Sequence, residues 1–129
     1  IGTPEYILNA VASGVDMFDC VLPTRNARNG SYFTRKGMLS IKQERFIHDL
    51  GPLDPECNCK VCRTYSRSYL RHLFKEQEIL SSILASYHNL YFLNNMVKEI
   101  RDAINEDRFE EYYNNFMAKF HSGDKIKTV

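Results

Sequence analysis

Three of the four cysteines, Cys57, Cys59 and Cys62, fall within six consecutive positions. A chain can satisfy such a cluster in two ways. Pairing them as disulfides, with Cys20 as the fourth partner, requires strained bridges between near neighbours. Converging on one ion is easier, because the thiolates of a Cys-x-Cys-x-x-Cys turn can occupy three corners of a tetrahedron around zinc. No basic-then-apolar leader precedes the cluster, so the thiols are expected to stay reduced in a cytoplasmic setting.

The fourth ligand must come from His48, His72, His88 or His121. A histidine on a helix usually packs or caps. His88 stands on the flank of a long apolar helical pattern, in line with Leu80 and Leu84. A helix packed over the cysteine turn would present that imidazole inward. Four filled positions leave no place for a water, so such a zinc, one per chain, is structural rather than catalytic.

With 129 residues, 43% of them hydrophobic and 26% charged, the chain can build one core. No run approaches the roughly 20 apolar residues of a membrane span, so no membrane role is expected. The first residue, Ile1, is not methionine, which leads us to expect a fragment or a processed product. Residues 1–75 carry eleven Lys/Arg against seven Asp/Glu, and residues 76–129 carry six against nine. A basic part beside an acidic helical end predicts a surface that meets a polyanion on one side.

Thr3-Pro4-Glu5 is a helix start, with a capping hydroxyl, proline in the first turn and a carboxylate at the positive dipole end. Gly14 supplies the stop. Val15 to Val21 reads as a short buried strand ended by Pro23, followed by a polar loop to the Asn29-Gly30 turn. Ser31–Thr34 and Met38–Ile41 read as two arms of a hairpin. Helix followed by buried strand is the repeating unit of α/β folds. Beyond Arg63 the pattern is helical. Ile79, Ile83, Tyr87, Leu90, Val97, Ile100 and Ile104 mark one apolar face of a long helix. Phe109, Tyr112, Tyr113, Phe116 and Phe120 mark a last helix, and residues 122–129 read as a loose tail.

The stretch Gly14-Val-Asp-Met-Phe-Asp-Cys-Val-Leu-Pro-Thr-Arg-Asn-Ala-Arg-Asn-Gly30 resembles the signature segment of bacterial tRNA-guanine transglycosylases (queuine tRNA-ribosyltransferases). Cys57, Cys59 and Cys62 with His88 resemble that family's zinc site. The likeness runs from Gly2-Thr-Pro-Glu5 to the last helix. It implies the C-terminal part of a (β/α)8 TIM barrel, an α/β fold, with a zinc-binding subdomain and long C-terminal helices. A whole barrel takes about 250 residues. The implied division is residues 1–48 for the last barrel elements and the catalytic and recognition loop, 49–88 for the zinc subdomain, and 89–129 for the C-terminal helices and tail.

The resemblance implies exchange of the wobble guanine in a tRNA anticodon loop for a 7-deazaguanine. Asp19 matches the nucleophile that would hold a covalent ribosyl intermediate, a logic shared with retaining glycosidases. Asp16, an odd number of residues away, would face the opposite side of a strand. Thr24, Arg25, Asn26, Ala27 and Arg28 match the wobble-recognition segment, where an arginine fork suits phosphate or a guanine edge. Ile1, Gly2, Thr3, Pro4, Glu5 and Tyr6 match a stretch assigned to RNA contact. Tyr65, Tyr69 and His72 correspond to an aromatic patch through which bacterial members form homodimers. Arg63, Arg67, Arg71 and Lys75 repeat at i, i+4, a stripe suited to RNA phosphates. The general acid/base and the base-binding residues are expected outside these 129 positions, so the piece alone is expected to be inactive. The competing reading is a non-catalytic, zinc-stabilised module for RNA binding or dimerisation.

Overall fold

The computed structural model describes residues 3–127. Helix α1 (Pro4–Ala12) starts as its sequence dictates: the Thr3 hydroxyl accepts the Tyr6 amide at 3.2 Å, and Pro4 sits in the first turn. It ends before Gly14, whose φ of 100° only glycine adopts without strain.

Residues 15–21 form no strand. Met17 is 86% exposed, and Val15 and Val21 are exposed as well. A strand exists only by pairing, and among the described residues no strand pairs with this segment. The expected polar loop is also corrected. Leu22–Arg28 is helix α2, with Pro23 in its first turn, so the proline starts an element instead of only ending one. Arg25 and Arg28 lie in its last turn, where they complement the dipole. Gly30, at φ 76°, turns the chain out of α2.

Strands β1 (Ser31–Thr34) and β2 (Gly37–Ser40) form the antiparallel hairpin, with Tyr32 opposite Leu39 and Phe33 opposite Met38. The second arm begins one residue earlier than its apolar run suggests, because Gly37 already pairs with Thr34 across the Arg35-Lys36 turn. A 3-10 turn at Glu44–Phe46 leads into the irregular cysteine segment. Four helices follow: α3 (Lys60–Thr64), α4 (Arg67–Lys75), α5 (Ile79–Asn105) and α6 (Phe109–Lys127). Helix α6 runs on to Lys127, into the stretch expected to be a loose tail, and residues 128–129 lie outside the described residues. Once a helix is established each further residue adds a hydrogen bond, which offsets the modest cost of Gly123. None of the described helices is long and apolar enough to cross a membrane.

Period two in the hairpin divides the core. Tyr32 and Leu39 point into one cluster with Ala27, Ile41, Leu53, Val61, Leu70 and Ala85, around the cysteines. Phe33 points into the other, with Ile7 and Leu8 of α1, Phe92, Met96 and Ile100 of α5, and Phe116 and Phe120 of α6. Helix α5 touches both clusters. Its buried side is Ser81, Ala85, His88, Asn89, Phe92, Leu93, Met96, Ile100 and Ala103. The apolar face read from the sequence is therefore largely the wrong one: Ile79, Ile83, Tyr87, Leu90 and Ile104 are exposed, Ile79 by 77%, and only Ile100 of that series is buried. The described residues thus form a mostly helical α/β structure with one two-stranded sheet.

Candidate metal centre

Cys57, Cys59, Cys62 and His88 converge, with one ligand atom from each and all four within 4.8 Å of one another. His88 Nδ1 lies 3.8 Å from Cys57 Sγ and 3.4 Å from both Cys59 Sγ and Cys62 Sγ. A zinc ion with Zn–S of about 2.3 Å and Zn–N of about 2.05 Å at tetrahedral angles requires S···N edges of about 3.6 Å. The observed edges straddle that value, so the cage fits zinc in size and in donor type.

Local structure presents each ligand. Cys59 caps the N-terminus of α3, its sulfur accepting the Cys62 amide at 3.4 Å, and Cys57 Sγ accepts the Cys59 amide at the same distance. Amides aimed at sulfur favour the thiolate, the form that binds metal. His88 is fully buried, and its Nε2–H donates to the Phe33 carbonyl at 2.7 Å. That bond leaves the Nδ1 lone pair facing the sulfurs and locks the ring, a device typical of metal-binding histidines.

Without a cation the four groups are in conflict. Hydrogen bonds with Cys57 and Cys62 hold the Cys59 thiol far below its ordinary range. The same crowding, first through Cys57 and then through Cys59, drives the Cys62 thiol far above it. Burial lowers the His88 pKa, but hydrogen bonds to Cys57 and Cys59 outweigh burial and lift it to about 10. A divalent ion removes the conflict, because all three sulfurs can then carry charge and the imidazole stays neutral.

A family model described as queuine tRNA-ribosyltransferase matches residues 1–122, a stretch that takes in the whole metal centre. The chain belongs to that family. Curated proteins named queuine tRNA-ribosyltransferase are similar to it: that of Treponema denticola is 59% identical over 122 residues, and that of Caldanaerobacter subterraneus subsp. tengcongensis 53% over 121. The protein of that name from Streptococcus suis is 50% identical over 123 residues. These alignments cover 95%, 94% and 95% of the chain respectively, but only 32% of each relative, so the chain spans about a third of their length.

The residues that resemblance to the queuine tRNA-ribosyltransferases singles out are placed as follows. Asp19 is exposed on the irregular segment just before α2, and so is Asp16. On α2, Arg25 and Arg28 are exposed, Thr24 and Asn26 are half-buried, and Ala27 is core. The Thr24 hydroxyl donates to the Val21 carbonyl at 3.1 Å, bracing the first turn. Thr3 caps α1, Pro4 is buried and Tyr6 is exposed, while the Glu5 carboxylate lies 3.1 Å from His121 Nε2. Ile1 and Gly2 lie outside the described residues. Tyr65 stacks on Tyr69, with ring centroids 5.4 Å apart and planes 14° apart, and Tyr69 and His72 line one surface hollow with Ile47.

The i, i+4 basic stripe is divided by the fold. Arg67 is committed to the Asp49 carboxylate and the Leu53 carbonyl, and Arg71 to the carbonyls of Lys42 and Gln43. Arg63 and Lys75 remain exposed.

One residue has no counterpart in the sequence reading. Asn89 is fully buried beside His88. Its Nδ2 donates to the carbonyls of Pro23 and Ser31, and its Oδ1 accepts the Phe33 amide, each at 3.0 Å. The segment bearing Arg25 and Arg28 is thereby tied to the same turn of α5 that carries the metal ligand. Apolar periodicity gives no signal for it, since a polar side chain facing inward does not register in that pattern.

Proposed function

We propose that this chain is the zinc-bearing C-terminal part of an enzyme that replaces the wobble guanine of a tRNA anticodon loop with a 7-deazaguanine. The observation that carries the reading is the family match over residues 1–122, joined to an exposed Asp19 immediately before a helix that presents two arginines.

In this reading the Asp19 carboxylate attacks C1′ of the ribose. The C1′–N9 bond to guanine breaks, and a C1′–O ester bond forms as guanine departs and takes a proton from an acid outside this chain. The incoming 7-deazaguanine gives its N9 proton to that same outside group, now a base, and displaces the carboxylate, restoring an N-glycosidic bond and freeing Asp19. Two displacements replace one difficult exchange. Arg25 and Arg28, with Thr24 and Asn26, face the RNA near the wobble nucleotide, and the start of α1 contributes further contacts. Ala27 serves this segment by anchoring α2 in the core. A zinc held by Cys57, Cys59, Cys62 and His88 would cross-link the cysteine segment to α5, and four protein ligands would leave no coordination position for substrate.

The same reading gives residues 15–21 the role of a barrel strand paired by polypeptide beyond this chain, with Asp19 at its C-terminal rim, where barrel enzymes work. The Tyr65–Tyr69 stack and His72 would form part of a homodimer contact, as aromatic groups favour, and the setting would be the cytoplasm, where the tRNA is.

Replacing Asp19 with Asn in the full-length protein tests the proposal. Base exchange into tRNA, followed with labelled guanine, should fall by several orders of magnitude while tRNA affinity is kept. Undiminished exchange would favour the non-catalytic module instead.

A further inference from the structure

The N-terminus of α5 opens onto a hollow of about 460 Å³ bounded by the end of α2, the end of α4 and the first turn of α5. A helix of 27 residues concentrates partial positive charge at its start, and here the N-cap residue, Glu78, makes no capping hydrogen bond with its side chain. Ser81 lines the hollow, is only 3% exposed, and its hydroxyl has no hydrogen-bond partner among the described residues. That hydroxyl is free to donate to a ligand in the hollow. Arg28 and Lys75 reach the same hollow from two sides, neither in an ion pair among the described residues. The Lys42 ammonium lies 5.5 Å above the ring of Phe74, which lines the hollow. Glu78 is the single acid among the lining residues.

A helix start without a side-chain cap, a hydroxyl free to donate and two cations make a site for a tetrahedral oxyanion. We propose that this hollow binds a phosphate, and that the phosphate belongs to the tRNA backbone. The second half rests on the function proposed above and deepens it. Arg28 ends the helix that carries the recognition segment, so an RNA strand laid along α2 leaves it over this hollow. Lys75, the exposed end of the divided basic stripe, stands on the far side. The contact would be a positioning one, independent of base sequence.

Two measurements on the zinc-loaded chain test this. In the first, inorganic phosphate is titrated while the backbone amide resonances of residues 79–82 are followed by NMR. Saturable shifts are expected at those amides. They should weaken severalfold in Ser81→Ala and in Lys75→Gln, and tighten in Glu78→Gln, with the rest of each spectrum confirming that the variant is folded. Absence of saturable shifts in the unsubstituted chain overturns the site. In the second, an anticodon stem-loop RNA is bound at several salt concentrations. Lys75→Gln should lower affinity severalfold and reduce the slope of log K against log salt by about one. Phosphate shifts together with an unchanged RNA slope would overturn the tRNA assignment in favour of a free phosphate. If phosphate binds and the stem-loop binds to no form of the chain or of the full-length protein, the functional reading fails and the anion site stands.

Discussion

Asn89 shows how one buried amide can fix an element that works at a distance from it. Three backbone groups, the carbonyls of Pro23 and Ser31 and the amide of Phe33, are bonded by this one fully buried side chain. Leaving a buried polar group unmade costs about 1–3 kcal/mol. Asn89→Leu is therefore expected to destabilise the zinc-loaded chain by about 3 kcal/mol or more, and Asn94→Leu, at an exposed position of the same helix, by no more than about 0.5 kcal/mol. Urea unfolding of both variants checks the contrast. The cysteines were legible in the sequence because the identity and spacing of metal ligands are themselves the chemistry. His88 could be reached by asking which helix could cover the cysteine turn. Asn89 could not, since apolar periodicity carries no information about a polar side chain facing inward, and its partners lie 56 or more residues away.

At the scale of elements, α5 is apolar on two sides, and periodicity alone cannot rank them. The side that counts toward the fold is the one with small residues, Ala85 and Ala103, which let α5 pack closely, and large ones, Phe92 and Met96, which fill the space beside them. Met96→Ala should cost about 2–5 kcal/mol, whereas Ile83→Gln on the exposed side should shift stability by about 0.5 kcal/mol or less; thermal unfolding of the pair decides. The strand expected over 15–21 failed for a related reason. Strand is a property of a sheet, and apolar residues become one only where a neighbour supplies the ladder. The connection into α4 has its own pH signature. Burial alone would raise the Asp49 pKa, but the Gly51 amide and the Arg67 guanidinium outweigh burial and hold its carboxyl below the ordinary range. A group whose folded-state pKa is depressed contributes stability above its unfolded pKa and loses that stability as pH falls through the folded value. Asp49→Asn should therefore be less stable than the parent at neutral pH, and the gap should close on acidification below about pH 4. Parallel unfolding curves at pH 7 and pH 3 would reveal a constant gap if the carboxylate contributed nothing.

For the molecule as a whole, the metal centre holds the irregular segment, the hairpin and α5 together, and Arg35 in the hairpin turn adds a second tie through Asp54 and Glu99. The segment between Ile47 and Cys59 has no regular element after the 3-10 turn and buries only a few apolar side chains, Leu53 among them. Asp54 adds hydrogen bonds from the amides of Arg35 and Glu56, and the Phe33 carbonyl takes the His88 Nε2 proton, so the hairpin depends on the same knot. The second cluster, formed by α1, Phe33, the C-terminal half of α5 and α6, contains no ligand. Chelation should therefore act unevenly. Ligand binding at a thousand times Kd contributes about 4 kcal/mol to the state that holds the metal, a large share of the 5–15 kcal/mol typical of a domain. Once the metal is removed, amide hydrogen exchange is expected to rise sharply over residues 31–62 and around His88, while residues 92–120 keep most of their protection. The residual helical circular dichroism should belong to α5 and α6, and returning one equivalent of zinc should restore protection to the hairpin. Uniform loss of protection along the whole chain would mean that the two clusters fold as a single cooperative unit, with zinc holding both.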